Sequence, residues 1–199
     1  MNDSQLDSEN AIVFQKHPEK PADVYSLAWL SKACHADTWV EFDWTVDYNF
    51  VWGQSGDLKV GAQFKAGQVV PADLVANNQI SLTYEDGGFK FGPTSRNPVR
   101  GSLFISQGSD VPGYSDPNQG SVGIGMSGAG TFVKPTSPDG GGGVQFTINP
   151  VYWVAFGSHE QGEVITTDVL SFPQELKYPD GKFNAECRFT GAGWELSYE

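Results

Sequence analysis

The chain has 199 residues, enough for one sizeable core, and its 24 Asp and Glu against 12 Lys and Arg leave a net charge of −12. That surplus repels a phosphate backbone and an anionic bilayer, which argues against nucleic acid and acidic membrane surfaces as partners. No run approaches the ~20 apolar residues of a membrane span, and the polar, acidic opening MNDSQLDSEN is unlike a secretory leader, so the cytoplasm is the expected compartment.

In that reducing setting the two cysteines, Cys34 and Cys187, stay thiols. The 24 Gly and 12 Pro punctuate short apolar runs rich in aromatic residues, a pattern that favours strands and turns. The expected fold is all-β: one two-sheet antiparallel sandwich, jelly-roll-like and with little helix, over residues 11–199. Residues 1–10 are expected to be a disordered tail.

A first strand is predicted at Ala11–Gln15, before the turn-rich HPEKPAD at 17–23. Val24–Ser31 comes next, with Tyr25, Leu27 and Trp29 on one face. The sequence then centres on Trp39–Trp52, WVEFDWTVDYNFVW. Its even positions from Val40 to Trp52 are all apolar or aromatic, whereas Glu41, Asp43, Thr45, Asp47 and Asn49 are polar. That period of two predicts a half-buried strand with a polar row on its open face. At ~3.3 Å per residue the run would be about 45 Å long, so a bulge or bend is expected within it.

Leu58–Phe64 alternates weakly, as an edge strand would. Gln79–Tyr84 and Phe89–Phe91 flank Asp86-Gly87-Gly88, a hairpin signal. A strand at Gly101–Ser106 leads into the long loop Gln107–Gly120, which carries Asp110, Tyr114, Asp116 and Asn118; loops of that length are often functional. β-Structure resumes at Val122–Val133, and the PTSPDGGGG stretch at 135–143 is read as a loop. Further strands are predicted at Val144–Ile148, Tyr152–Phe156, Glu163–Ile165, Phe183–Thr190 and Trp194–Glu199, the last seating Trp194, Leu196 and Tyr198 in the core. Asp168–Lys177 is the best of the weak helix candidates.

Several phrases, SLAWLSK at 26–32, FDWTVDYNFVWG at 42–53, SVGIGMSGAGTFV at 121–133, YWVAFG at 152–157 and QGEVI at 161–165, resemble in order and spacing the RhiA-like proteins of fungi and bacteria. The resemblance covers most of the chain after residue 10. It implies a soluble, intracellular β-protein of obscure role, and it carries no catalytic or ligand residues onto this sequence.

The polar row is the best candidate site. Glu41 and Asp43, two apart on a strand, point the same way with Cβ atoms about 7 Å apart, a spacing that suits paired acid and base work on a glycosidic bond. The row also faintly resembles the E-x-D-x-x-E strand of one jelly-roll glycosidase family, but Val46 stands where that motif needs its final carboxylate. Sugars are equally well held without reaction, by carboxylates and amides on the hydroxyls and an aromatic ring on the apolar face. Trp39, Glu41, Asp43, Asp47 and Asn49 supply both kinds of group, with Asp110 and Tyr114 from the long loop as further ligand-binding candidates. Calcium needs 6–8 oxygens, more than one strand provides; Asp110, Asp116 and Asn118 of the long loop could add to them, and no EF-hand spacing is present.

Other motifs are read as structural. Gly123-Ile124-Gly125-Met126-Ser127-Gly128 matches G-x-G-x-x-G, but residues 129–135 continue as β-type sequence where that motif needs a helix, so the glycines are assigned to close backbone packing. Cys34-His35-Ala36-Asp37 places a thiol beside an imidazole, yet neighbours on an extended chain point apart. His159-Glu160 lacks the further ligands of a zinc site. Three functions remain open: a non-catalytic, lectin-like binding protein for a glycan or small polar ligand; a small enzyme acting on a glycan or secondary metabolite using Glu41 and Asp43; and an abundant or self-associating protein without a pocket. Homo-oligomerisation through an exposed edge strand is compatible with all three.

Overall fold

The computed structural model describes residues 1–4, 9–17, 23–137, 143–148 and 150–199. Strands β1 (Asn10–Gln15), β2 (Tyr25–Leu27) and β3 (Leu30–Ala33) precede the aromatic stretch, which supplies only β4 (Tyr48–Gly53). Then come β5 (Ala66–Pro71), β6 (Gln79–Glu85), β7 (Gly88–Phe91) and β8 (Ser102–Gln107). The long loop leads to β9 (Ser121–Met126), β10 (Ala129–Pro135), β11 (Gly143–Thr147) and β12 (Tyr152–Gly157). The chain ends with β13 (Val164–Ile165), β14 (Ser171–Leu176), β15 (Ala185–Phe189) and β16 (Trp194–Tyr198).

The all-β sandwich architecture expected from the sequence is therefore present, and its strands divide among more than two sheets. A six-stranded sheet runs β13-β2-β10-β9-β4-β5, beside four-stranded sheets ordered β14-β12-β1-β3 and β11-β8-β6-β7 and a β15-β16 hairpin. Among the described residues all the ladders between strands are antiparallel except β6 with β8. Among the described residues no helix is long and apolar enough to cross a membrane.

The six-stranded sheet is the middle of the molecule. One face sends Phe50, Ile124 and Phe132 against Ile80, Leu82, Leu103, Ile105 and Phe146 of the β11-β8-β6-β7 sheet. Its other face sends Leu27, Val51, Val133 and Val164 against Leu58 and Phe64. Consecutive Phe50 and Val51 are thus both wholly buried, and β4 is covered on both sides. Hairpin β6–β7 forms as predicted, with Asp86 and Gly87 both at positive φ (53° and 81°), the conformation its tight turn demands.

The departures share a cause: strand-like sequence needs a partner to be a strand. Val24–Ser31 is broken at Ala28-Trp29, so that β2 pairs in the six-stranded sheet and β3 beside β1. Leu58–Phe64 is not a strand but a cover, bridged only at Gln63 to Glu163, and the true edge is β5, whose Gly67 and Pro71 disguise it. The helix candidate at Asp168–Lys177 is a 3-10 turn at Thr167–Val169 followed by β14. There Pro173 and a positive φ at Phe172 accompany a register shift opposite β12.

The start of the chain corrects the expected tail. Asn2 is buried, with its backbone N–H donated to Thr38 O at 3.0 Å and its amide to Cys34 O at 2.9 Å. Hydrogen bonding to β15 and to the segment before β4 orders these residues where composition suggested none. The remainder of the predicted tail at 5–8, most of the turn-rich 17–23 stretch and 138–142 of the glycine-rich loop lie outside the described residues.

Candidate functional site

The floor of the candidate site follows from the register of the β14-β12-β1-β3 sheet. Ala11 pairs with Phe156, Val13 with Val154 and Gln15 with Tyr152, and the two-residue period puts Ala11, Val13, Tyr152, Val154 and Phe156 on one face. All five line a groove of about 1240 Å³. One wall is the extended segment 39–46, and the other is built from residues 175–178, 182–187 and Trp194.

The first wall is the aromatic stretch, and it corrects the expected strand. Residues 39–47 have no ladder partner, yet the alternation survives as exposure: Trp39, Glu41, Asp43 and Thr45 are exposed while Val40, Phe42 and Trp44 are half-buried. Trp44 packs among Trp29 and Tyr152, with ring centroids 5.6 and 5.1 Å away. Val46, expected in the core, is 56% exposed. Lys32 Nζ donates to the Glu41 carbonyl at 2.5 Å and lies 5.4 Å from the Phe42 ring centroid.

The polar row is divided between different tasks. Glu41 and Asp43 line the groove together with Trp39. Thr45 and Asp47 instead fasten the segment to the turn between β9 and β10. Thr45 Oγ1 donates to Asp47 Oδ2 at 2.6 Å, Thr45 N–H donates to Ser127 Oγ at 2.9 Å, and Ser127 N–H donates to Asp47 O at 3.1 Å. Asn49 is buried inside β4, where its Oδ1 accepts from the Gly128 N–H at 3.2 Å. It left the row because β4, unlike the segment before it, has neighbours on both faces.

The long loop does not reach the row. It joins the Ser121 end of β9, whereas Thr45 and Asp47 sit at the Met126 end, about 17 Å away for a strand of that length. Asp110 accepts from the Tyr84 N–H at 2.5 Å and pins the loop to β6, and Tyr114 stands 68% exposed. Asp116 accepts from the Asn118 N–H at 2.8 Å. Among the described residues no group of three or more His, Cys, Asp and Glu is placed to hold a metal ion.

The motifs read as structural behave so. A Cβ at Gly125 would land on the Ala129 carbonyl oxygen, so these glycines let β9 and β10 approach. Cys34 is buried and accepts weakly from Thr38 Oγ1 at 3.8 Å, while His35 is exposed. His159 pairs with Glu163, not Glu160, at 2.9 Å.

Sequence reasoning misses the second wall, because Phe183–Thr190 reads as a strand, which the structure starts only at Ala185, and Trp194 as core. The available signal was Phe183, an aromatic residue directly after Pro179-Asp180-Gly181-Lys182. It is 85% exposed at the groove. Tyr178 packs edge-on against Tyr152 at 6.2 Å and against Tyr198 at 5.5 Å. Burial, with nearby Cys187 and tyrosines, pushes the Tyr178 phenol up to about 12, and burial pushes the Cys187 thiol up to about 11. Both stay neutral at ordinary pH, so charge in the groove comes from its carboxylates, its lysines and the N-terminal ammonium of Met1, which donates to Cys187 O at 2.7 Å.

Fold and site define a β-sandwich protein with an open, aromatic-lined groove and acidic groups along it. The chain belongs to the RhiA family, whose model matches residues 1–199. Protein RhiA of Rhizobium leguminosarum bv. viciae is 35% identical over 179 residues, spanning 86% of this chain and 73% of that protein. No solved structure matches the chain.

Proposed function

We propose that the chain is a non-catalytic binding protein, lectin-like in mode, whose ligand is a glycan or another small polyhydroxylated molecule held in the groove. One observation carries this reading: two aromatic side chains stand open at the groove, Trp39 at 59% and Phe183 at 85% exposure. Exposed aromatic surface beside a cavity marks an interaction site, and a flat ring suits the apolar face of a sugar. Glu41 and Asp43 supply acceptors for hydroxyls. Both are exposed, whereas acid and base work depends on one carboxyl being desolvated, which favours binding over hydrolysis. A soluble, cytoplasmic setting goes with this reading, supported by the acidic charge and by two cysteines that are both free.

The test is binding of the labelled protein to a glycan array with and without calcium. Specific, calcium-independent binding that is lost in Asp43→Asn, Trp39→Ala or Phe183→Ala is the expected result. No binding in either condition would refute it. Turnover of a bound glycan that is abolished by Glu41→Gln would replace it with the enzyme reading, and concentration-dependent assembly without any ligand would favour self-association.

A further inference from the structure

Charge narrows the ligand class, on the premise that the groove binds a glycan. Five residues with carboxylate side chains line it, Glu41, Asp43, Glu175, Glu186 and Glu199, against the ammonium groups of Lys177, Lys182 and the N-terminus of Met1, which donates to Cys187 O at 2.7 Å. Lys177 lies 3.9 Å from Glu175, so that pair largely cancels and four carboxylates face one lysine and the Met1 ammonium. The phenol and thiol of Tyr178 and Cys187 are held neutral and offset none of this. A neutral sugar would leave the surplus unanswered.

The surroundings of the groove already show how an ammonium is received. Lys32 places its Nζ against the Phe42 ring and on the Glu41 carbonyl, at the wall where Phe42 and Glu41 both line the groove. On the opposite face of the floor sheet, Lys16 Nζ lies 3.1 Å from the Trp153 ring centroid. Aromatic faces attract cations through their quadrupole, and carboxylates beside them add charge-assisted hydrogen bonds. Trp39 and Phe183 offer open rings of the same kind, in a groove whose Glu41, Asp43 and Glu186 are themselves exposed.

We infer that the groove binds a glycan bearing free amino groups, an oligosaccharide of amino sugars in its protonated form, with sugar faces on Trp39 and Phe183 and ammonium groups among Glu41, Asp43 and Glu186. Each partly exposed ion pair contributes a factor of about 2–5, so two or three of them give a preference of roughly ten-fold or more over a neutral sugar chain.

The experiment is calorimetric titration of the full chain with glucosamine, N-acetylglucosamine and glucose oligomers of equal length, and with a linear tetra-amine. It is run at about pH 5.5, where ordinary carboxylates are ionised and the sugar amines protonated. The glucosamine oligomer is expected to bind about ten-fold tighter than the other two sugars, with the advantage falling as salt is raised to about 0.5 M. Glu41→Gln with Asp43→Asn should abolish the advantage, while Glu85→Gln with Asp86→Asn, an equal loss of charge on the β6–β7 turn, should leave it intact. Equal affinity for the three sugars overturns the inference and leaves the glycan reading standing. Binding of none of them, on the array or by titration, removes both. A tetra-amine that binds as tightly as the glucosamine oligomer, or a preference lost equally in the turn variant, also overturns it, since charge alone would then be recognised.

Discussion

Ser127 fastens the first wall of the groove, and replacing it separates two effects of known size. Its hydroxyl accepts from Thr45 N–H at 2.9 Å and donates to Thr45 O at 3.1 Å, and its φ is 50°. Ser127→Ala loses both bonds and keeps the positive φ. At about 0.5–1.5 kcal/mol net per bond, and toward the low end because water reaches these exposed groups, the cost is about 1–2 kcal/mol. Ser127→Gly loses the same bonds but is relieved of roughly 1 kcal/mol of left-handed strain. Glycine should therefore be more stable than alanine here by about 1 kcal/mol, which for a chain of this size is about 2–4 °C in Tm. Urea unfolding measures the difference, and amide exchange locates it: the Thr45 N–H should exchange roughly 5–30-fold faster in both variants, while amides of β9 change little. Equal stability of the two variants, or an unchanged Thr45, would refute the claim that this turn holds the wall.

Three further outcomes are expected. Gly125→Ala should fail to give folded protein, because its methyl meets the Ala129 backbone carbonyl inside a buried hairpin; soluble protein with a wild-type Tm would contradict the packing described for β9 and β10. The Asp73 carboxylate is drawn down from 3.8 to about 2 by N–H bonds from Ala76 and Val75 and by the Asn77 amide. Its folded pKa is depressed, so its contribution to stability is complete above the unfolded value and is lost as pH falls from about 4 through 2. Asp73→Asn should flatten the acid limb of stability in that window, measured as urea midpoints across it. Burial raises the Cys187 thiol from 9.0 to about 11, so in a Cys34→Ala background its reaction with a thiol reagent should be slow at neutral pH and climb toward pH 11. A rate at about pH 8 equal to that of a free cysteine thiol would be the contrary result.

Local signals are legible where they carry their own partner. The β6–β7 hairpin is readable because Asp86 and Gly87 specify the turn and the flanking residues alternate. So is the β9–β10 region, whose glycines can be assigned to close packing before any neighbour is known. The long-range pairings are not legible: nothing local says that β2 and β3 belong to different sheets, or that β6 and β8 run parallel. The buried Asn2 is hidden for a similar reason, since its partners Thr38 and Cys34 are brought to it only by the fold. Loop length alone groups Asp110 and Tyr114 with the polar row, and length does not say which end of a strand a loop serves.

The aromatic stretch shows the limit of periodicity most sharply. Alternation at 39–45 reports which side chains share a side, and the structure keeps that grouping although no ladder forms there. What it cannot report is what lies on each side. Periodicity assigns Phe42 and Trp44 to a sealed core, and they do pack inward against Trp29, Tyr152 and Val154, but both sides of the segment border the groove between the β1–β12 floor and the C-terminal hairpin. A strand paired on both edges would have had its position fixed by the ladder; this segment is held at its ends, by Asn2 at Thr38 and by Ser127 at Thr45 and Asp47. Between those anchors Trp39, Glu41 and Asp43 lie where backbone pairing does not constrain them. Such a wall can adjust to a ligand at little cost to the fold, because the hydrogen bonds that would have to break are few and none belongs to a sheet.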